Sequence, residues 1–111
     1  MSRDEATLID ILGAAQLILQ FKANADSDSF SRDPKTQSAI LHQLLILGEA
    51  IKRLSDAFRS AHPEIPWRQA AGMRDKLIHD YDAVDLAEVW NTVTVDIPRL
   101  LRLIEPLAPQ P

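Results

Sequence analysis

Apolar residues in this chain return every three or four positions over long stretches, and that period commits it to helices. Ile40, Leu44, Leu47, Ile51, Leu54 and Phe58 keep the step from Pro34 to about Arg59, which lines them up on one stripe of a long second helix. Leu8, Ile11, Ala15, Ile18 and Leu19 do the same in a first helix, and Val89, Val93, Ile97, Leu100 and Ile104 in a last one. The punctuation agrees. Ser2 and Glu5 have the spacing of a capping box. Asp33 stands before Pro34, a cap preceding a proline whose missing N–H costs nothing in the first turn. Asn24 to Ser31 has the composition of a loop. His62-Pro63-Glu64-Ile65-Pro66 breaks the chain ahead of a third helix from about Trp67 to Asp80. Asp82 or Asp85 can cap the fourth, and Pro98 inside it predicts a kink near Thr94.

Composition narrows the alternatives. Hydrophobic residues make up 46% of the 111, but aromatics only 5%, with three glycines and no Asn-Gly or Asp-Gly turn. That balance suits helices and argues against a β-sandwich or barrel. The length is that of one domain. The expectation is therefore all-α: an antiparallel four-helix bundle, five at most, over residues 1–105, with 106–111 as a flexible proline-rich tail. Gly48 lies inside the second helix, where glycine is costly unless another helix approaches closely. Trp67 and Trp90 are expected as core or interface anchors. Cysteine is absent, which excludes disulfides and thiolate metal sites and fits the reducing cytoplasm. No cationic lead precedes an apolar core at the start, and Leu44 to Leu47 is far too short to cross a bilayer.

The net charge of −4 excludes a uniformly polybasic nucleic-acid binder. Its distribution says more. Ala50 to Lys76 holds six basic and three acidic residues, whereas Asp80 to Pro111 holds six acids and two arginines. A basic stripe beside an acidic helix is one reading; helix faces that merely differ in solvation are the other.

One stretch concentrates reactive side chains: Gly72-Met73-Arg74-Asp75-Lys76-Leu77-Ile78-His79-Asp80-Tyr81-Asp82. At 100° per residue Asp75, His79 and Asp82 share a face, and Arg74 and Tyr81 share a neighbouring one. Arg74 and His79 stand about 140° apart. For both to reach one ligand, the helix must end near His79 or two copies must combine. A solvated helix end, with an ordinary Asp75–His79 pair, accounts for the same residues without any chemistry. Glu49 is either a buried partner for Arg74 across two helices or an exposed helix carboxylate. No histidine spacing suits a metal: His62 and His79 are too far apart in sequence, and His42 lies alone.

Arg74-x4-His79-x-Tyr81 resembles the R-x4-6-H signature of HEPN domains, and the added tyrosine resembles their HepT subgroup. Flanking features match in order: Gly48-Glu49-Ala50, Ile65-Pro66-Trp67, Gly72-Met73-Arg74, and Val84-Asp85-Leu86 followed by Val89-Trp90. The resemblance covers about residues 5 to 104. It implies a helical homodimer whose two motifs face one cleft, acting as the toxin of a toxin–antitoxin system by metal-independent RNA cleavage, without a cofactor. It also implies a partner, a small MntA-type nucleotidyltransferase antitoxin that transfers AMP from ATP to Tyr81. In those terms Arg74 and His79 are catalytic, and Glu49 and Asp75 support them. Imidazole titrates near neutrality and suits proton transfer; guanidinium stays charged and can hold a phosphate by two parallel hydrogen bonds. The family often has Asn where this chain has Asp75. A carboxylate there repels phosphate and tempers the expected activity to a weak or conditional one. A non-catalytic helical partner that binds or regulates a nucleotidyltransferase is the competing function.

Overall fold

Ser2 and Glu5 exchange the two hydrogen bonds of a capping box, at 3.1 and 3.3 Å, and open α1 (Arg3–Lys22) in the structure, a computed structural model that describes residues 1–109. Asp26 builds a second such box with Ser29 and opens α2 (Ser27–Ser31), where a loop was expected. A five-residue helix is too short to display a period. Its purpose is Phe30, which is fully buried and stacks on Trp90 with ring centroids 5.2 Å apart. Asp33 caps α3 (Pro34–Arg53), its carboxylate accepting from Thr36 N–H at 3.2 Å.

The second long helix ends sooner than its apolar period suggests. Leu54 is extended, and Ser55 caps a separate α4 (Asp56–Ala61). A tertiary contact makes the break: Ser55 N–H and Oγ donate to the Asp4 carboxylate at 2.9 and 2.7 Å. Leu54 stays buried and Phe58 packs against the core margin, so the apolar rhythm runs across a chain that has changed direction.

The third long helix is α5 (Trp67–His79), followed by a 3-10 turn at Tyr81–Ala83. Asp85 then caps α6 (Leu86–Asn91), accepting from the N–H groups of Ala87 and Glu88. Glu88 does not complete a box; it pairs with Lys76 instead. The expected kink at Pro98 takes the form of a π turn at Thr92–Asp96, across which Ile97 N–H bonds to the Thr92 carbonyl, ahead of α7 (Ile97–Ile104). Widening the ladder by one residue accommodates a proline that cannot donate and would crowd the preceding turn.

The described residues are helical or irregular, without a strand, so the all-α class is the expected one, with the short α2 and α4 added to the long helices. α1 packs on α3 and α7, and α3 packs on α5. Ile11, Ile18, Ile40, Leu44, Leu47, Ile97 and Leu100 are fully buried at its centre. Trp67 and Trp90 lie partly buried against that core. Proline content misleads at the far end: Glu105–Leu107 forms a 3-10 turn and Ala108 is buried, because the chain still has apolar surface to cover. Gln110 and Pro111, the rest of the expected tail, lie outside the described residues. No helix among the described residues is long and apolar enough to cross a membrane.

Gly48 sets the spacing of α3 and α5. A Cβ there would lie 2.4 Å from Arg74 Cβ, 3.1 Å from its Cγ and 3.4 Å from the Ala71 carbonyl oxygen. The obstruction is the root of a side chain and a backbone, which move only if the helix moves. Overpacking costs about 1–3 kcal/mol, while alanine recovers up to about 1 kcal/mol of helix propensity. Gly48→Ala is accordingly expected to destabilise the protein by about 1–2 kcal/mol. A thermal melt checks it; a variant as stable as the parent would show that the two helices are not held by this contact.

Candidate active site

The close approach at Gly48 lays the stem of Arg74 across α3, and the arginine is the best-buried charge of the motif, with its side chain only 20% exposed. Arg74 Nε sits 3.2 Å from Glu49 Oε1, an ion pair whose alignment falls short of a hydrogen bond, and Nε is sealed from solvent. Its Nη1 donates to Asp75 Oδ1 at 2.8 Å. Lys52, one turn beyond Gly48 on α3, brings Nζ to 3.8 Å from that same oxygen.

The electrostatics follow from these contacts. The hydrogen bond to Asp75, with Glu49 adding its charge, raises the Arg74 pKa further above an already high value, against a desolvation that works the other way. The Asp75 carboxyl is lowered, first by the Arg74 hydrogen bond and next by the Lys52 charge, with His79 a smaller contributor. Both groups are therefore ionised throughout the physiological range.

His79 lies elsewhere. α5 stays regular up to it, with Asp80 as the cap, so the helix does not bend to bring His79 round to Arg74. It is exposed and lines an open groove of about 480 Å³ with Asp75, Lys76, Val84, Asp85 and Glu88. Tyr81 has left the helix for the 3-10 turn, so the expected sharing of a helical face with Arg74 does not hold, nor does that of Asp82 with His79. Helical angles stop applying once the backbone hydrogen bonds change. Tyr81 is 49% exposed and lines a second groove of about 260 Å³, beside Pro34, Gln37 and Leu41 at the start of α3.

A single chain thus assembles Arg74, Glu49, Asp75 and Lys52 at one point, and Asp75 with His79 along one groove. It joins neither Arg74 to His79 nor either of them to Tyr81. Glu49 falls between its two readings: it pairs with Arg74 across the helices, but its side chain stays 43% exposed and is not the buried partner expected. Lys52 was legible only as part of a basic stretch; its spacing from Gly48, one turn along the same face, is the signal that points to it. Among the described residues no group of three or more His, Cys, Asp or Glu side chains is arranged to hold a metal ion.

Comparison with known proteins places this geometry in context. The family model described as Ribonuclease HepT-like matches residues 11–107. The probable ribonuclease HepT of Thermococcus cleftensis is 47% identical over 100 residues, covering 90% of this chain and 91% of that protein. A protein of Methanocaldococcus jannaschii, provisionally named an RNase, is 37% identical over 90% of this chain and 83% of its own length. One of Caldanaerobacter subterraneus, named in the same way, is 36% identical over 86% of this chain and 85% of its own. No solved structure matches. The match spans both helices that carry Glu49, Arg74 and His79, and with nearly the whole chain covered the protein belongs to the HepT-like ribonuclease family.

Proposed function

We propose that this protein is the toxin of a toxin–antitoxin pair, a metal-independent endoribonuclease that uses Arg74 and His79. The observation that carries the reading is Arg74. Its stem is fixed at a helix crossing by Gly48, Glu49 stands beside Nε, and Nη1 meets an exposed carboxylate that Lys52 also approaches. RNA brings its own nucleophile, the 2′-OH, so the enzyme must remove that proton, align the oxygen with phosphorus and protonate the leaving oxygen. His79 serves the proton transfers, and Arg74 stabilises the charge that grows on the phosphate. Glu49 orients Arg74, and Asp75 stands between the two.

The separation of Arg74 from His79 within one chain is met by a homodimer, in which Arg74 of one copy works with His79 of the other. A suitable face is present. The Asp10–Arg53 ion pair, at 3.4 Å, sets the register of α1 against α3. Two turns away from each partner stand Leu17 and Ile46, with Phe21 one turn further on. The Glu49–Arg74 pair sets the register of α3 against α5 in the same way, and one turn beyond Arg74 is Ile78. All four apolar residues are exposed, and this register would gather them near the charged cluster at Arg74. Exposed apolar surface rimmed by charge is the signature of a contact face.

Tyr81 fits the role of the silencing site, a target for AMP transfer by an MntA-like nucleotidyltransferase. The residue is half exposed, and an adenylate on it would place bulk and negative charge two residues from His79.

Expression in a bacterium tests the catalytic pair. The parent is expected to arrest growth with loss of RNA, and Arg74→Ala or His79→Ala to lower cleavage by about 100-fold or more. Toxicity undiminished in both variants would remove the pair from the mechanism, and a parent that cleaves no RNA leaves the non-catalytic partner as the function. Co-expression with the antitoxin is expected to add adenylate to the intact mass of the protein and not to that of Tyr81→Phe; adenylate mapped to another residue refutes the silencing site. In solution the mass is expected at twice 12.4 kDa, and Ile46→Glu is expected to halve it. A monomeric parent at micromolar concentration contradicts the composite site.

A further inference from the structure

Lys52 and Arg74 come from different helices, yet both reach the same atom. Arg74 Nη1 is 2.8 Å and Lys52 Nζ 3.8 Å from Asp75 Oδ1. Packing imposes the meeting, since Arg74 crosses α3 at Gly48 and Lys52 projects one turn later. Two cations converging on one anionic oxygen have the layout of a phosphate-oxygen site, here filled by the chain's own carboxylate.

The grip on that carboxylate is shallow. Asp75 and Lys52 are 67% and 54% exposed, and ion pairs in such surroundings are weak and screened by salt. Arg74 is anchored differently, by its stem packed at Gly48 with the Glu49 charge beside Nε, which leaves the Nη edge for a ligand. If Asp75 swings away it has a second position available, because His79 is one turn along α5 and lines the same groove. The carboxylate can leave the arginine without being stranded.

We infer that Lys52 is a second phosphate-holding residue of the RNA site, and that Asp75 occupies the phosphate-oxygen position until RNA displaces it. This deepens, and rests on, the reading of the site as one for RNA. Lys52 contacts the substrate directly. Asp75 is a positioning residue: it keeps Arg74 and Lys52 directed at one point and sets a threshold that a phosphate must overcome.

The test uses the full chain and a short fluorescent single-stranded DNA, which carries the phosphates but lacks the 2′-OH nucleophile. Anisotropy titrations over a range of salt concentrations compare the parent with Lys52→Gln, Asp75→Asn and the double variant. Lys52→Gln is expected to weaken binding by roughly fivefold at low salt and to flatten the logarithmic salt slope by about 0.7, the value for one phosphate contact on a single strand. Asp75→Asn is expected to tighten binding by roughly fivefold, which the loss of a merely structural pair would not do. Lys52→Gln should still weaken binding when added to Asp75→Asn. Failure of Asp75→Asn to tighten, an unchanged salt slope in Lys52→Gln, or a parent that binds no DNA overturns the inference. RNA cleavage measured in parallel separates the two ideas. Cleavage that needs His79, with both variants binding like the parent, retains the RNase and sinks the phosphate site. The expected binding changes without cleavage of any RNA by the parent do the reverse.

Discussion

The crossing of α3 and α5 at Gly48 is the contact on which the rest of the site depends. A helix interior gives up stability by holding a glycine, and here the return is that the stem of Arg74 lies where a Cβ would be. Everything polar nearby is set out from that point. Glu49 is the next residue and takes Nε; Lys52 is one turn on and meets the far end of the guanidinium through Asp75. A guanidinium buried without partners would be strongly unfavourable. The helix that brings Arg74 in therefore also brings its counter-charge.

The same crossing explains why one chain does not bring Arg74 and His79 together. Arg74 faces inwards to α3, and α5 continues without distortion for five more residues, so His79 is carried round to another side. Ile46 stands three residues before Glu49 on α3 and Ile78 one turn beyond Arg74 on α5, and both are exposed.

Much of this was legible beforehand, for identifiable reasons. Capping at Ser2, Asp33 and Asp85 is local chemistry between residues two or three apart, and all three caps are present. The buried stripes of the long helices were legible because period alone selects them. The misreadings share a cause as well. Ser55 ends a helix by bonding to Asp4, fifty-one positions earlier, and α2 exists because Phe30 finds Trp90. Neither partner can be seen from within its own segment. Pro98 marks a disturbance from sequence alone, but whether a helix kinks, splits or widens into a π turn is settled by how its two halves pack.

By itself, the sequence determined the all-α class, the order of the long helices and the motif that allies this chain with HepT-like ribonucleases, since these rest on local propensity, periodicity and residue identity. Only the tertiary structure decided which charges meet. It made Glu49 a partner of Arg74 and not a free carboxylate, drew Lys52 out of a basic stretch and onto Asp75, and sent His79 and Tyr81 to separate grooves. The physical reason is that ion pairs between helices depend on the rotation and spacing of two rigid rods. That relation is set by a close contact such as the one at Gly48, which no single helix contains.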